Sequence, residues 1–241
     1  MKEIFNQLAG LLTHLGEKPI GVVTLAGYEI RFDWLTLVMS WAVMAILIVG
    51  ALFLRRALRQ PIEDKPNRTQ AALDALMGAL QTQLGGSFGS ERLAAMMFPF
   101  VSTLFLYVLF SNWISVIPYM TSPTQDLNVT LGLAILVFVI SQVLALRFKG
   151  VRRYLKGYVD PLPVMLPINI IGELAKPLSH AFRLFGNVLA GTILVTVIMA
   201  KFAPIIVPPV LNIIFGLFFG GIQAFVFAIL AVAYINVAVQ E

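Results

Sequence analysis

Cysteine is absent from the 241 residues, histidine occurs twice, and Asp, Glu, Lys and Arg together make up only 12% of the chain. Without cysteine there are no disulfides and no thiolate metal sites. His14 and His180 lie too far apart in sequence to point to a metal cluster. The shortage of charge excludes more. Soluble domains carry about 25% charged residues, whereas this chain is 59% hydrophobic with a mean hydropathy of +0.89. It lacks the polar surface needed for solvation on all sides and reads as an integral membrane protein. The alternating pattern of a β-barrel is also missing, and the first 30 residues, with Glu3, Glu17, Lys18 and Pro19, have no apolar core adequate for a signal peptide.

What is present is long uncharged runs: 34–54, 93–125, 127–146, 184–200 and 202–240. A helix needs about 20 apolar residues to cross the hydrocarbon core, so each run crosses it or nearly does. The fold expected is an all-α polytopic membrane protein with about five membrane helices. The charges set its orientation. Arg55, Arg56, Arg59, Lys65 and Arg68 follow the first span, and Arg147, Lys149, Arg152, Arg153 and Lys156 follow the 127–146 span. The intervening turns carry only Asp126 and Lys201, so the positive-inside rule places both basic loops in the cytoplasm, the N-terminus outside and Glu241 inside. The net charge of +5 is explained by this topology, and no nucleic-acid partner is implied.

Residues 1–241 read as one membrane domain. An external segment, 1–33, precedes the first span, 34–54, whose Trp34 and Trp41 suit the outer interface. After the polar linker "QPIEDKPNRT", residues 69–84 place Leu73, Leu76, Met77, Leu80 and Leu84 on one helical face, an amphipathic helix suited to lie along the cytoplasmic surface. Residues 93–146 form a helical hairpin closed by "IPYMTSPTQD", and 168–239 a final helix pair broken by "APIIVPP" at 203–209. Thirty helical residues extend about 45 Å against a core of about 30 Å, so these last two helices are expected to be strongly tilted, bent or stacked obliquely on a partner.

Polar residues at membrane depth carry the functional information. Glu173, Lys176, His180, Arg183 and Asn187 all fall on the helix near 168–199. At about 100° per residue, Arg183 and Asn187 are about 40° apart, with Gly186 and Gly191 flanking them. Arginine at a helix centre costs at least about 2.5–3.5 kcal/mol, which implies a counter-charge. Glu173 is the acidic residue nearest in sequence; the alternative is a carboxylate on another subunit. Asn212, Gln223 and Tyr234 recur every 11 residues on the last helix and form one stripe, the expected wall of an aqueous path. In the hairpin, Ser111, Asn112 and Ser115 face Asp126, Asn128 and Thr130, where Asp126 is suited to cap the helix that follows.

The stretch "KPLSHAFRLFGNVLAG" at 176–191 closely resembles the signature of subunit a of rotary F-type ATP synthases, and "LFSNWISVIP" at 109–118, "PTQDLNVTL" at 123–131 and "GGIQAFVFAILAVAYI" at 220–235 resemble its other hallmarks in order. The resemblance implies a non-catalytic, ion-translocating stator subunit in a bacterial cytoplasmic membrane. It would lie beside a ring of c subunits and peripheral-stalk b subunits, with no cofactor or metal. Arg183 matches the family's stator arginine, Asn187 and Gln223 the polar pair beside it, and Asn112, Asp126 and Asn128 positions near the outer half-channel. Where some members carry Glu and His, this chain has Thr192 and Gly216, leaving Glu173 or His180 as candidates for the outer relay. A stand-alone secondary transporter and a structural membrane scaffold are the competing readings. Whether the ion is H⁺ or Na⁺ is left open, because most ion ligands sit on the ring.

Overall fold

In a bilayer the backbone has no water to pair with, so each spanning segment must satisfy its own N–H and C=O groups, and the apolar runs fold as helices. The computed structural model describes residues 20–25, 28–58, 68–117, 120–159, 162–201, 211 and 213–240. Its helices are α1 (Trp34–Leu58), α2 (Arg68–Gln83), α3 (Glu91–Trp113), α4 (Leu127–Lys149), α5 (Val151–Val159), α6 (Leu166–Lys201) and α7 (Gly220–Gln240). A π-helical segment, Ile213–Phe219, leads into α7. Among the described residues five stretches, Trp34–Arg56, Glu91–Val116, Leu127–Lys149, Leu166–Val195 and Ile213–Val239, are long and apolar enough to cross a membrane. The chain is a multi-pass, all-α membrane protein with one small addition that sequence did not announce. Strands β1 (Ile20–Leu25) and β2 (Tyr28–Asp33) pair antiparallel ahead of α1, Ile20 opposite Asp33 and Leu25 opposite Tyr28. Asp33 then caps α1, accepting from Leu35 N at 3.0 Å and Thr36 Oγ1 at 2.8 Å.

Helix α7 is the hub. Ala224, Phe227, Ala228, Ala231, Val232 and Ile235 recur at helical spacing and are all buried, and their small members let α3, α4 and α6 approach closely. Toward the C-terminal end of α7 the core joins Leu80 and Leu84 at the end of α2 to Leu93, Val101 and Leu144. Toward its N-terminal end the core joins Leu104 and Val108 of α3 to Val137 of α4 and Leu184 of α6. Asn236 fastens the first of these ends, donating to Ser87 C=O at 2.7 Å and accepting from Gly89 N at 3.1 Å. That end also carries the basic residues Arg147 and Lys149 in the last turn of α4 and, just beyond, α5. The apolar face expected of the amphipathic helix is thus seated in the bundle at Leu80 and Leu84, while Met77 stays exposed.

Two elements differ from expectation. The second basic loop is a helix, α5, started after Gly150, whose φ of 77° and ψ of 153° break the α4 repeat in a conformation suited to glycine. Helix α6 begins at Leu166 rather than near 168, and runs through Pro177 without a break. At 36 residues it is about 54 Å long, well beyond a hydrocarbon core of about 30 Å. Pro177 has no N–H to give Glu173 C=O, so the ladder is weakened where the first polar cluster lies.

Candidate functional site

The polar residues of α6 divide between its two faces. Pro177, His180, Ala181, Leu184 and Val195 are buried against the bundle, whereas Ile171, Leu174, Leu178, Phe182, Arg183 and Asn187 are exposed. Arg183 therefore stands on the outward, largely apolar face of a membrane-length helix. Among the described residues no hydrogen bond or ion pair reaches its guanidinium. Asn187, one turn on, turns toward α7, where its Nδ2 donates to Gln223 Oε1 at 2.7 Å. The Nε2 of Gln223 is buried and has no partner among the described residues. Arginine, amide and amide thus form a short polar line from the exposed face into the α6–α7 seam.

Glu173 does not serve Arg183. It pairs with Lys176 one turn away and accepts from Gln142 Nε2 of α4 at 3.0 Å. Tyr154 of α5 donates to Gln142 Oε1 at 2.7 Å and lies 2.9 Å from the hydroxyl of Tyr158. A pocket beside this chain is lined by Ser141, Glu173, Lys176, Pro177 and Tyr234. His180 is 1% exposed, its ring 3.8 Å from that of Phe227 and 5.4 Å from that of Tyr234, and neither ring nitrogen has a hydrogen-bond partner among the described residues.

Glu173 and His180, the candidates for the outer relay, both lie on the N-terminal side of Arg183 in α6. That helix starts at the basic end, and at 1.5 Å per residue Glu173 is about 15 Å from Arg183 toward that end. The end beyond Arg183 is built differently. Thr192 accepts from Gln125 Nε2 at 2.9 Å and donates to Val188 C=O at 3.0 Å. At Gly216 any Cβ would collide with the side chain of Val116, so valine fills the space a histidine there would need.

Asn112 is 2% exposed and is bonded at both ends of its amide, donating to Gly220 C=O at 2.9 Å and accepting from Thr124 Oγ1 at 2.7 Å. Trp113 Nε1 donates to Leu217 C=O at 3.1 Å, so α3 supplies two donors where the π-helical repeat gives way to α7. A Cβ on Gly220 would come within 2.9 Å of Asn112 Cβ, which is why the two helices meet there. Asp126 caps α4 as expected, accepting from Asn128 N at 2.9 Å and Asn128 Nδ2 at 3.0 Å. Thr130 bonds locally to Leu127 C=O at 3.1 Å. Asn212 lies outside the described residues, so the 11-residue stripe is carried by Gln223 and Tyr234. Sequence reasoning did not single out Gln125, Gln142, Tyr154 or Tyr158; Gln142, uncharged within an apolar span, was the one visible signal.

The sequence model of the ATP synthase A chain family matches residues 37–236. The chain is 38% identical over 209 residues to "ATP synthase subunit a 1" of Crocosphaera subtropica, covering 85% of this chain and 88% of that protein. It is 39% identical over 208 residues to "ATP synthase subunit a 2" of Picosynechococcus sp., covering 86% and 87%. With "ATP synthase subunit a" of Nitrosospira multiformis the identity is 36% over 206 residues, covering 86% and 80%. On this match the chain belongs to the ATP synthase A chain family, subunit a of the F-type ATP synthases.

Proposed function

We propose that this chain is the stator that couples ion flow to rotation of a c-subunit ring, with Arg183 as its fixed charge. The observation that carries the reading is an arginine at membrane depth, exposed on α6 and without an ion-pair partner among the described residues. Leaving such a charge to lipid is costly, and a carboxylate presented by a neighbouring subunit removes the cost. Arginine does not deprotonate in proteins, so Arg183 holds an ionised ring carboxylate rather than relaying a proton. A ring site arrives loaded, meets the guanidinium, which favours the carboxylate form, and releases its ion. The emptied site passes Arg183 and reloads on the other side.

Two offset half-paths are needed, and polar groups are available for each. Toward the basic end lie His180, Tyr234 and Glu173; toward the other, Thr192, Gln125 and Asn112, with Asp126 and Asn128 at the mouth. Asn187 and Gln223 border Arg183 between them. With the N-terminus outside and the basic end cytoplasmic, the first half-path opens to the cytoplasm. Each charge crossing supplies about 2.3 kcal/mol per 100 mV, so several per ATP drive synthesis. The peripheral-stalk b subunits hold the chain against the torque.

In reconstituted ATP synthase, Arg183→Ala is expected to abolish ion-driven ATP synthesis, and Arg183→Lys not to restore it, because a compact ammonium lacks the planar fork. Wild-type synthesis rates in the Arg183→Ala complex would overturn the assignment.

A further inference from the structure

Helix α5 takes no part in the site around Arg183, yet its nine residues, Val151–Val159, sort into three faces. At about 100° per residue, Tyr154 and Tyr158 share one edge, Val151, Leu155 and Val159 the next, and Arg152, Lys156 and Arg153 lie beyond them. The tyrosine edge is turned to the protein. Tyr154 bonds Gln142 of α4, the tyrosine rings meet edge to face, and Asn169 Nδ2 of α6 donates to Tyr158 C=O at 3.0 Å. Burial, and then the bond to Tyr154, raise the pKa of Tyr158 and keep its hydroxyl protonated well past neutral pH. The aliphatic edge is bare, with Val151 62% and Leu155 57% exposed, and the three basic side chains are exposed as well.

The surroundings identify what covers that edge. Helix α5 starts immediately after a membrane span, with Gly150 as the corner. The span's own apolar flank, Val139, Val143 and Leu146, is also exposed. An aliphatic strip bordered by cations matches a leaflet, in which acyl chains lie directly beneath phosphates.

We propose that α5 is an interfacial anchor, its Val151, Leu155 and Val159 inserted among acyl chains and its Arg152, Arg153 and Lys156 bound to the phosphates of anionic phospholipids. Each basic side chain near an anionic surface favours it about fivefold. Because Gln142 links Tyr154 to Glu173, the leaflet thereby sets the depth of the basic end of α6. The inference rests on the membrane fold and is independent of the role given to Arg183.

The chain has no cysteine, so Leu155→Cys, Val151→Cys and Arg152→Cys each place a single spin label on this subunit. All three positions are exposed, which leaves the packing intact. The assembled ATP synthase is reconstituted in vesicles of phosphatidylcholine with and without phosphatidylglycerol. Labels at 151 and 155 are expected to meet oxygen more readily than a water-soluble nickel chelate, and the label at 152 to show the reverse. Phosphatidylglycerol is expected to slow the motion of the labels at 151 and 155, and neutralising the cations (Arg153→Gln with Lys156→Gln) to cut its concentration effect by about fivefold per charge. Shielding of 151 and 155 from both reagents, meaning a protein neighbour, would overturn the proposal. So would access of the nickel chelate to both, or indifference to phosphatidylglycerol.

Discussion

Arg183 was visible in the sequence because a charge in an apolar run has no inexpensive place to go. Its immediate surroundings were visible too, since Asn187 follows one turn later and Gln223 is among the few polar groups on the last helix. What sequence did not show was where Glu173 spends its charge. A carboxylate ten residues from an arginine looks like a partner in one dimension, but Lys176 and Gln142 reach it first. Nor did it show that Asn112, a polar residue near the outer mouth, ties α3 to Gly220 C=O and Thr124. Replacing Asn112 with Leu strands those groups in a buried site, at a cost of about 1–3 kcal/mol. A thermal unfolding transition shifted well below wild type in detergent is the expected result. Gly216→His is expected to destabilise by a similar amount through overpacking against Val116. Val116→Ala in the same chain should recover most of the loss by the same measurement, and no recovery would mean that the clash is not the cause.

At the scale of elements, the five spans were legible because hydrocarbon admits few alternatives to an uncharged helix. Helix α5 was not, because its charges read as a loop and hid a regular alternation of Val151, Leu155 and Val159 with Arg152, Arg153 and Lys156. The π-helical segment was equally hidden, since no residue pattern distinguishes it from the α-helix it joins. The junction of α4 and α5 depends on Gly150, whose positive φ disfavours any other residue. Gly150→Val is expected to shift α5 from its seat, and the hydroxyl chain from Tyr158 to Glu173 should open with it. Amide hydrogen exchange at Tyr154–Tyr158 is expected to rise while α4 stays protected; unchanged protection would place the seating elsewhere. Raising pH works on the same chain. The Tyr158 pKa lies above its unfolded value, so its contribution is complete at neutral pH and is lost only as alkaline pH passes through the folded value.

At the scale of the whole molecule, the described residues form a bundle around α7 that leaves one face of α6 exposed around Arg183. Toward either end of the helix lies a separate set of polar groups. In the role proposed for it, the arginine both holds ring carboxylates and keeps the two sets apart. On the function proposed, ions cross only by riding the ring, and every ion passed contributes to ATP. The most direct measurement is the amount of ATP formed per ion passed down an imposed gradient, in vesicles carrying the assembled synthase with wild-type Arg183 or Arg183→Ala. The account predicts a fixed ratio for wild type and a ratio near zero for the variant, which passes ions without making ATP. An unchanged ratio in the variant would contradict it.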